Sequence, residues 1–353
     1  MVHVNSIDIT PPLLNSSCAW SSDLAQLKGL YDSPHTGAIT TRTATLNGYR
    51  ENDSHTFAFA KATTSSINSY GYSPFPFTQY LTWIEELLTT ATHYKPIIVS
   101  VTSDADDPTS LALMVAQLQA LRKRLGDQKH DDLARIAIEL NTSCPNIKNS
   151  PPPGYDFESL SPLLEVLSEA YAQDSTLTIG LKLPPFVHEQ QFHSVLNRIT
   201  SLNADSPHHG VTATAAAKYA IPTRATNTVI SFLTCTNTLG NSLLFADQSI
   251  SITPSPPPNK DSSSLATFAL PTALGGLAGD ALHPLALGNV YRFSHMLKGL
   301  EKEWPPASRI KIIGVGGVTS REARERMTKA GADAVACATL FGKEGVKAFE
   351  ILS

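Results

Sequence analysis

Apolar residues run along this chain in two alternating textures. Short continuous runs rich in Val, Ile, Leu and Ala fall at 37–41, 96–102, 134–140, 177–183, 229–234, 310–315 and 334–338. Runs of this length with no polar face predict strands buried on both sides, as in a parallel sheet. Between them, apolar positions recur at three- and four-residue intervals over 77–93, 109–125, 160–172, 187–202, 290–302 and 320–330, which predicts helices. The last helix carries its own punctuation: Ser320 reads as the N-cap and Gly331 as the C-terminal stop. Strand and helix alternate, so the pattern is one of βα units. Seven such strands predict an α/β fold, a closed (β/α)8 TIM barrel. The eighth strand is expected somewhere in the weakly patterned region 205–290.

Two stretches interrupt the rhythm. Residues 203–228 are Ala/Thr-rich, carry His208 and His209, and read as an insertion; 253–264 are Pro/Ser-rich and read as a mobile surface loop. With no internal repeat, residues 1–353 read as a single barrel domain with that insertion. Composition narrows the class. Hydrophobic content of 42% and charged content of 16% suit a soluble protein with a large core. A net charge of −4 without a basic block argues against nucleic acid or an anionic membrane as partner. The start, Met1-Val-His-Val-Asn-Ser, has no apolar signal core, and no segment reaches the ~20 apolar residues of a membrane span. Cys18, Cys144, Cys235 and Cys337 lie far apart and form no CxxC pair. That points to a reducing, cytoplasmic compartment, with no disulfide framework and no metal site.

The candidate chemistry gathers where strands end. The run 134–140 gives way to Asn141-Thr-Ser-Cys144-Pro-Asn146, polar groups and a thiol placed at the carboxyl end of a strand, where α/β folds collect ligands. A lone cysteine is commonly a small buried hydrophobe, but a positioned thiolate is also a base or nucleophile. Lys182 sits inside an apolar strand; it is either a surface lysine or a buried cation in need of an electron-rich partner such as a flavin ring. Gly316 and Gly317 follow a strand and precede a helix, which suits a phosphate cradle as well as an ordinary tight turn. The turn at Ala338-Thr339, after the next strand, favours the phosphate. Asn68, Asn141, Asn146 and Asn237 are each unremarkable as turn residues. Converging on one pocket, their amides suit a flat amide-bearing ring such as a pyrimidine.

These motifs, in order, resemble the dihydroorotate dehydrogenases. They are Glu139-Leu-Asn-Thr-Ser-Cys-Pro-Asn146, Tyr155-Asp-Phe-Glu158, Gly180-Leu-Lys-Leu-Pro-Pro-Phe186, Asn237-Thr-Leu-Gly-Asn241, Gly275-Gly-Leu-Ala-Gly279, Ile313-Gly-Val-Gly-Gly-Val318 and Thr339 with Lys343-Glu-Gly345. The soluble, cytosolic, fumarate-using class 1A is the nearest type. The resemblance implies an FMN-containing barrel, dimeric in this class, that oxidises dihydroorotate to orotate in pyrimidine (UMP) biosynthesis with fumarate as acceptor. It makes Cys144 the base that takes the C5 proton as hydride leaves C6 for the flavin. It assigns substrate contacts to Arg42, Asn68, Tyr70, Gly71, Asn141, Asn146, Asn237 and Thr238. Ser16, Ser17, Arg42, Asn141, Lys182, Gly279, Gly316, Gly317, Ala338 and Thr339 are left to FMN.

The chain departs from that family at several points. Arg42, in Thr41-Arg-Thr-Ala-Thr45, stands where the family carries lysine; it keeps the charge but is larger and forked. Ser16-Ser17-Cys18 replaces Ala-Ser-Gly, and Ala338 replaces a glycine of the phosphate turn. Two other readings are therefore weighed: an FMN enzyme acting on another dihydropyrimidine or an enoate, and a barrel that no longer catalyses.

Overall fold

In the computed structural model, residues 1–129, 133–144, 146, 152–204, 228–250 and 267–353 are described. The expected insertion and the Pro/Ser-rich loop fall almost wholly outside them. Eight strands form one parallel sheet: β3 (Leu13–Asn15), β4 (Ile39–Thr40), β7 (Ile97–Val101), β8 (Ile136–Asn141), β9 (Thr178–Leu183), β10 (Phe232–Cys235), β14 (Lys311–Val315) and β15 (Ala334–Cys337). A parallel bridge between Leu14 and Ala38 joins its two ends, so the sheet closes into the predicted (β/α)8 barrel. The eighth strand is the correction. It is Leu13–Asn15, at the start of the chain and not within 205–290. Three residues after Pro11-Pro12 are too few to register as a period.

Helices cover the barrel: α1 (Leu24–Asp32), α2 (Phe77–Thr90), α3 (Pro108–Arg124), α4 (Ser161–Gln173), α5 (Glu189–Ala204), α6 (His283–Leu300), α7 (Arg321–Ala330), and the short α8 (Thr339–Glu344) and α9 (Lys347–Leu352). Ser320 does cap α7, accepting from the Ala323 N–H, and Gly331 closes it at φ 114°. Helix α6 begins seven residues before the predicted 290, because Pro284 in its first turn fits a helix start and not an interior.

Strand alternation sets what the barrel contains. On β8, Ile136, Ile138 and Leu140 face the helices, while Ala137, Glu139 and Asn141 face inward; on β9 the inward set is Thr178, Gly180 and Lys182. Inward positions turn from apolar to polar toward the carboxyl ends of the strands. Below, Leu14, Ile98, Ala137, Phe232, Ile313 and Ala336 pack with Val4, Ile7 and Ile9 of the β1 (Val2–Val4)–β2 (Ile7–Ile9) hairpin, which closes the amino end. Gly180 serves this packing directly. A Cβ there would lie 2.1 Å from the Phe232 ring, which packs inside the barrel with Ile98, Ala137 and Ile313.

A second, antiparallel sheet stands beside the mouth. Its order is β11 (Leu239–Leu243), β13 (Leu274–Gly279), β6 (Ser65–Asn68), β5 (Phe57–Ala60) and β12 (Ser249–Ile250), drawn from segments far apart in sequence.

Candidate active site

The polar ends of the barrel strands and the inner edge of the antiparallel sheet enclose one cleft of about 1030 Å³, its open mouth included. All the candidate residues line it: Ser16, Ser17, Arg42, Asn68, Tyr70, Gly71, Asn141, Cys144, Asn146, Lys182, Asn237, Thr238, Gly279, Gly316, Gly317, Ala338 and Thr339. They arrive on different elements. Asn141 ends β8, Lys182 lies on β9, Asn68 and Gly279 end β6 and β13, and the glycine pair follows β14.

Cys144 is half-buried just beyond β8, with its Sγ 3.9 Å from the Tyr70 carbonyl. Burial pushes its thiol up from the ordinary range, against the opposing pull of the Asn146 backbone and the charges of Lys182 and Arg42. The carboxamides hold one another. The Asn146 amide donates to the Asn68 side chain at 3.0 Å and to the Tyr70 carbonyl at 2.8 Å. The Asn237 amide donates to Asn141 Oδ1 at 3.2 Å and to the Ser143 carbonyl at 2.7 Å, and Asn141 donates to Thr43 at 3.0 Å. Amides tied in this way are oriented before any ligand arrives, which lowers the ordering cost of binding.

Lys182 is 5% exposed and points inward, its ammonium 3.2 Å from the Ser17 carbonyl. Beneath it lies a buried carboxylate, Glu139, which accepts from Ser100 at 3.2 Å and Thr234 at 2.6 Å. Ser100 in turn meets Thr43, and Thr43 meets Ser17, so a chain of hydroxyls connects the barrel interior to the cleft. At the other end, Gly316 and Gly317 adopt φ of 124° and 65°. A Cβ on Gly317 would lie 2.5 Å from His283 and 2.7 Å from the Gly279 carbonyl. His283 anchors this turn, its Nδ1 2.8 Å from the Gly316 carbonyl and its Nε2 accepting from Arg326 at 3.3 Å. The turn is thus an open backbone cradle with no room for a side chain.

Several lining or supporting groups are not among the candidate residues. Glu139, Thr234 and Ser100 are polar residues inside apolar strands, the same signal that marks Lys182. Trp20, Phe57 and Tyr72 come from loops and from the antiparallel sheet. Glu51 lies outside the cleft and reaches it only through Arg42. Among the described residues no group of three His, Cys, Asp or Glu side chains could hold a metal ion, and no helix is long and apolar enough to cross a membrane.

Comparison with known proteins agrees on one relationship. The sequence model described as "Dihydroorotate dehydrogenase" matches residues 1–229 and 259–353. A Streptococcus pyogenes serotype M5 protein, provisionally named dihydroorotate dehydrogenase A (fumarate), is 29% identical over 317 residues, covering 89% of this chain and 78% of the relative. Like-named proteins of Streptococcus equi subsp. equi and Streptococcus agalactiae serotype Ia are 25% and 27% identical, covering 96% and 97% of this chain and 86% and 87% of theirs.

Proposed function

The chain belongs to the dihydroorotate dehydrogenase family, and from that premise we propose that it is an FMN-dependent oxidoreductase. In this reading it oxidises (S)-dihydroorotate to orotate for pyrimidine biosynthesis and passes the electrons to fumarate. The observation that carries the reading is the convergence of the Cys144 thiol and four oriented carboxamides on a single cleft.

The residues present fit FMN. The Gly316–Gly317 turn, packed too closely on Ala286, His283 and Gly279 to carry side chains, presents bare backbone to the cleft and suits a phosphate, and Thr339 lines the same cleft. Lys182 is a buried cation with a carbonyl as its protein acceptor, and the buried Thr236 hydroxyl, which also lines the cleft, has no hydrogen-bond partner among the described residues. Both suit the polar edge of a ring. Ser16, Ser17, Arg42, Asn141, Gly279 and Ala338 complete the proposed contacts. When bound, FMN supplies the two-electron acceptor for the hydride that leaves C6.

The chain's own groups do the rest. Asn68, Asn141, Asn146 and Asn237, with Thr238, Tyr70 and Gly71, present donors and acceptors to the ring amides and hold C5 toward Cys144. Cys144 Sγ takes the C5 proton, Lys182 supplies positive charge, and Arg42, paired with Glu51, adds hydrogen-bond donors. Fumarate then enters the same cleft. A second reading keeps the cofactor and changes the ring. It rests on Arg42, whose charge is already matched by Glu51, which favours a dihydropyrimidine without a carboxylate.

An anaerobic visible spectrum of the purified protein, before and after dihydroorotate, tests this. We expect a flavin band that bleaches on addition. A band that stays would point to the second reading, and no band even after adding FMN would overturn the flavoenzyme.

We further propose a cytoplasmic homodimer. The four cysteines are free, and Leu243, Phe245, Phe268 and Leu274 are exposed at the antiparallel sheet, a suitable face for a second copy. Sedimentation should give twice the chain mass, shifting to one chain mass in Phe245→Glu; a wild-type monomer at micromolar concentration rules the dimer out.

A further inference from the structure

Two cationic side chains of the described residues line the cleft, and their surroundings differ. Lys182 has a neutral carbonyl as partner. Arg42 is in an ion pair: its guanidinium donates to Glu51 Oε1 at 2.5 Å, and the same nitrogen reaches the Tyr72 carbonyl at 3.1 Å and the Gly71 carbonyl at 3.4 Å. Its carbon also sits 5.2 Å from the centre of the Tyr70 ring. The Arg42 side chain is 7% exposed and that of Glu51 26%, so this pair is partly shielded from water.

Glu51 is held in place by its own segment. On one side the Tyr49 N–H donates to the Ser73 carbonyl at 2.8 Å. On the other, Ser69 accepts from the Thr56 N–H at 3.1 Å and donates to the Ser54 carbonyl at 2.6 Å. The stretch bearing the carboxylate is therefore fastened to 69–73, the stretch whose Tyr70 carbonyl meets both Cys144 and Asn146. An anion approaching Arg42 meets a fixed carboxylate as well as a cation. The attraction it feels is that of a dipole, which is weaker than that of a free charge.

We propose that Glu51 is a specificity-determining residue. By neutralising Arg42 it weakens the cleft's hold on the carboxylate of an anionic pyrimidine relative to the same ring without one. The proposal deepens the pyrimidine reading of the cleft and rests on it. Glu51 touches no ligand; it acts through Arg42, whose remaining hydrogen bonds to the 71 and 72 carbonyls persist without it.

The test is calorimetric titration of the holoprotein and its Glu51→Gln variant with orotate and with uracil. We expect orotate to bind about tenfold tighter in the variant, with less than a twofold change for uracil. The orotate gain should shrink as salt rises, because a partly exposed charge is screened. Orotate affinity that is unchanged or weaker, or an equal shift for both ligands, would overturn the proposal and leave Glu51 a structural role. Absence of orotate binding to either protein overturns it too, since charge then does not limit affinity. The functional reading fails separately, if dihydroorotate leaves the flavin oxidised while orotate binding still responds to Glu51.

Discussion

Cys144→Ala is expected to keep its flavin band and to lose ~10²–10⁴-fold in the rate at which dihydroorotate bleaches it, the usual cost of removing a general base. The thiol sits just beyond the end of β8, near the Tyr70 carbonyl and the Asn146 backbone. The cradle around Gly317 lies on other strands, so the alanine variant should still bind cofactor. The pH dependence follows from the direction of the thiol's shift. Burial raises it above the ordinary value of 9.0, so at neutral pH most molecules carry the protonated thiol, which cannot accept a proton. The reductive rate of the parent should therefore climb with pH and level only above about 9, while the variant's stays flat. Stopped-flow absorbance measures both. A variant that bleaches within about threefold of the parent would remove Cys144 from the proton transfer.

Arg122→Met is the second large effect, and it falls on stability. Arg122 is fully buried at the end of α3. It donates to Asp174 at 2.6 Å, Gln119 at 2.8 Å, the Asp127 carbonyl at 2.9 Å and Thr176 at 3.0 Å. Asp127 in turn accepts from the Arg135 and Ile136 N–H groups at 2.6 and 3.1 Å, so one guanidinium ties α3 to the entries of β8 and β9. Methionine fills much of the volume but leaves Asp174 without its cation and Asp127 with Arg135 alone. Breaking a buried pair from one side costs about 3–5 kcal/mol. Chemical denaturation should read that loss, with cofactor content unchanged in the folded fraction because the site is at the other end of the barrel. A loss under about 0.5 kcal/mol would mean the network relaxes around its missing centre.

The sequence carries the barrel more openly than it carries the cleft's walls. Strands such as 97–101 and 136–141 are short, mostly apolar and buried throughout, and a run of that kind has few other homes. The failure at the eighth strand is physical: Leu13–Asn15 is too short to show a period, and its partners β15 and β4 are supplied by tertiary structure. The antiparallel sheet was hidden for a related reason. Ser65–Asn68 is mostly polar and Leu274–Gly279 is half glycine, and they become strands by pairing with each other. Among the candidate residues, Lys182 stands out as a polar interruption of one apolar strand and Asn141 as the polar end of another, and the cleft brings them side by side in register. Glu51 could not be read this way. Nothing in its neighbours' pattern signals a carboxylate that closes on an arginine nine positions earlier.

The hairpin and apolar plug at the amino end of the barrel limit traffic as well as hold the fold. With Phe232 packed inside the barrel and Val4, Ile7 and Ile9 beneath it, the described residues close the cleft at that end. Whatever enters from above must leave the same way. In a reaction with one electron donor and one electron acceptor, the spent donor has to clear the mouth before the acceptor can descend. The two substrates would then take turns and compete for a single doorway, and a donor in excess would obstruct the acceptor it depends on.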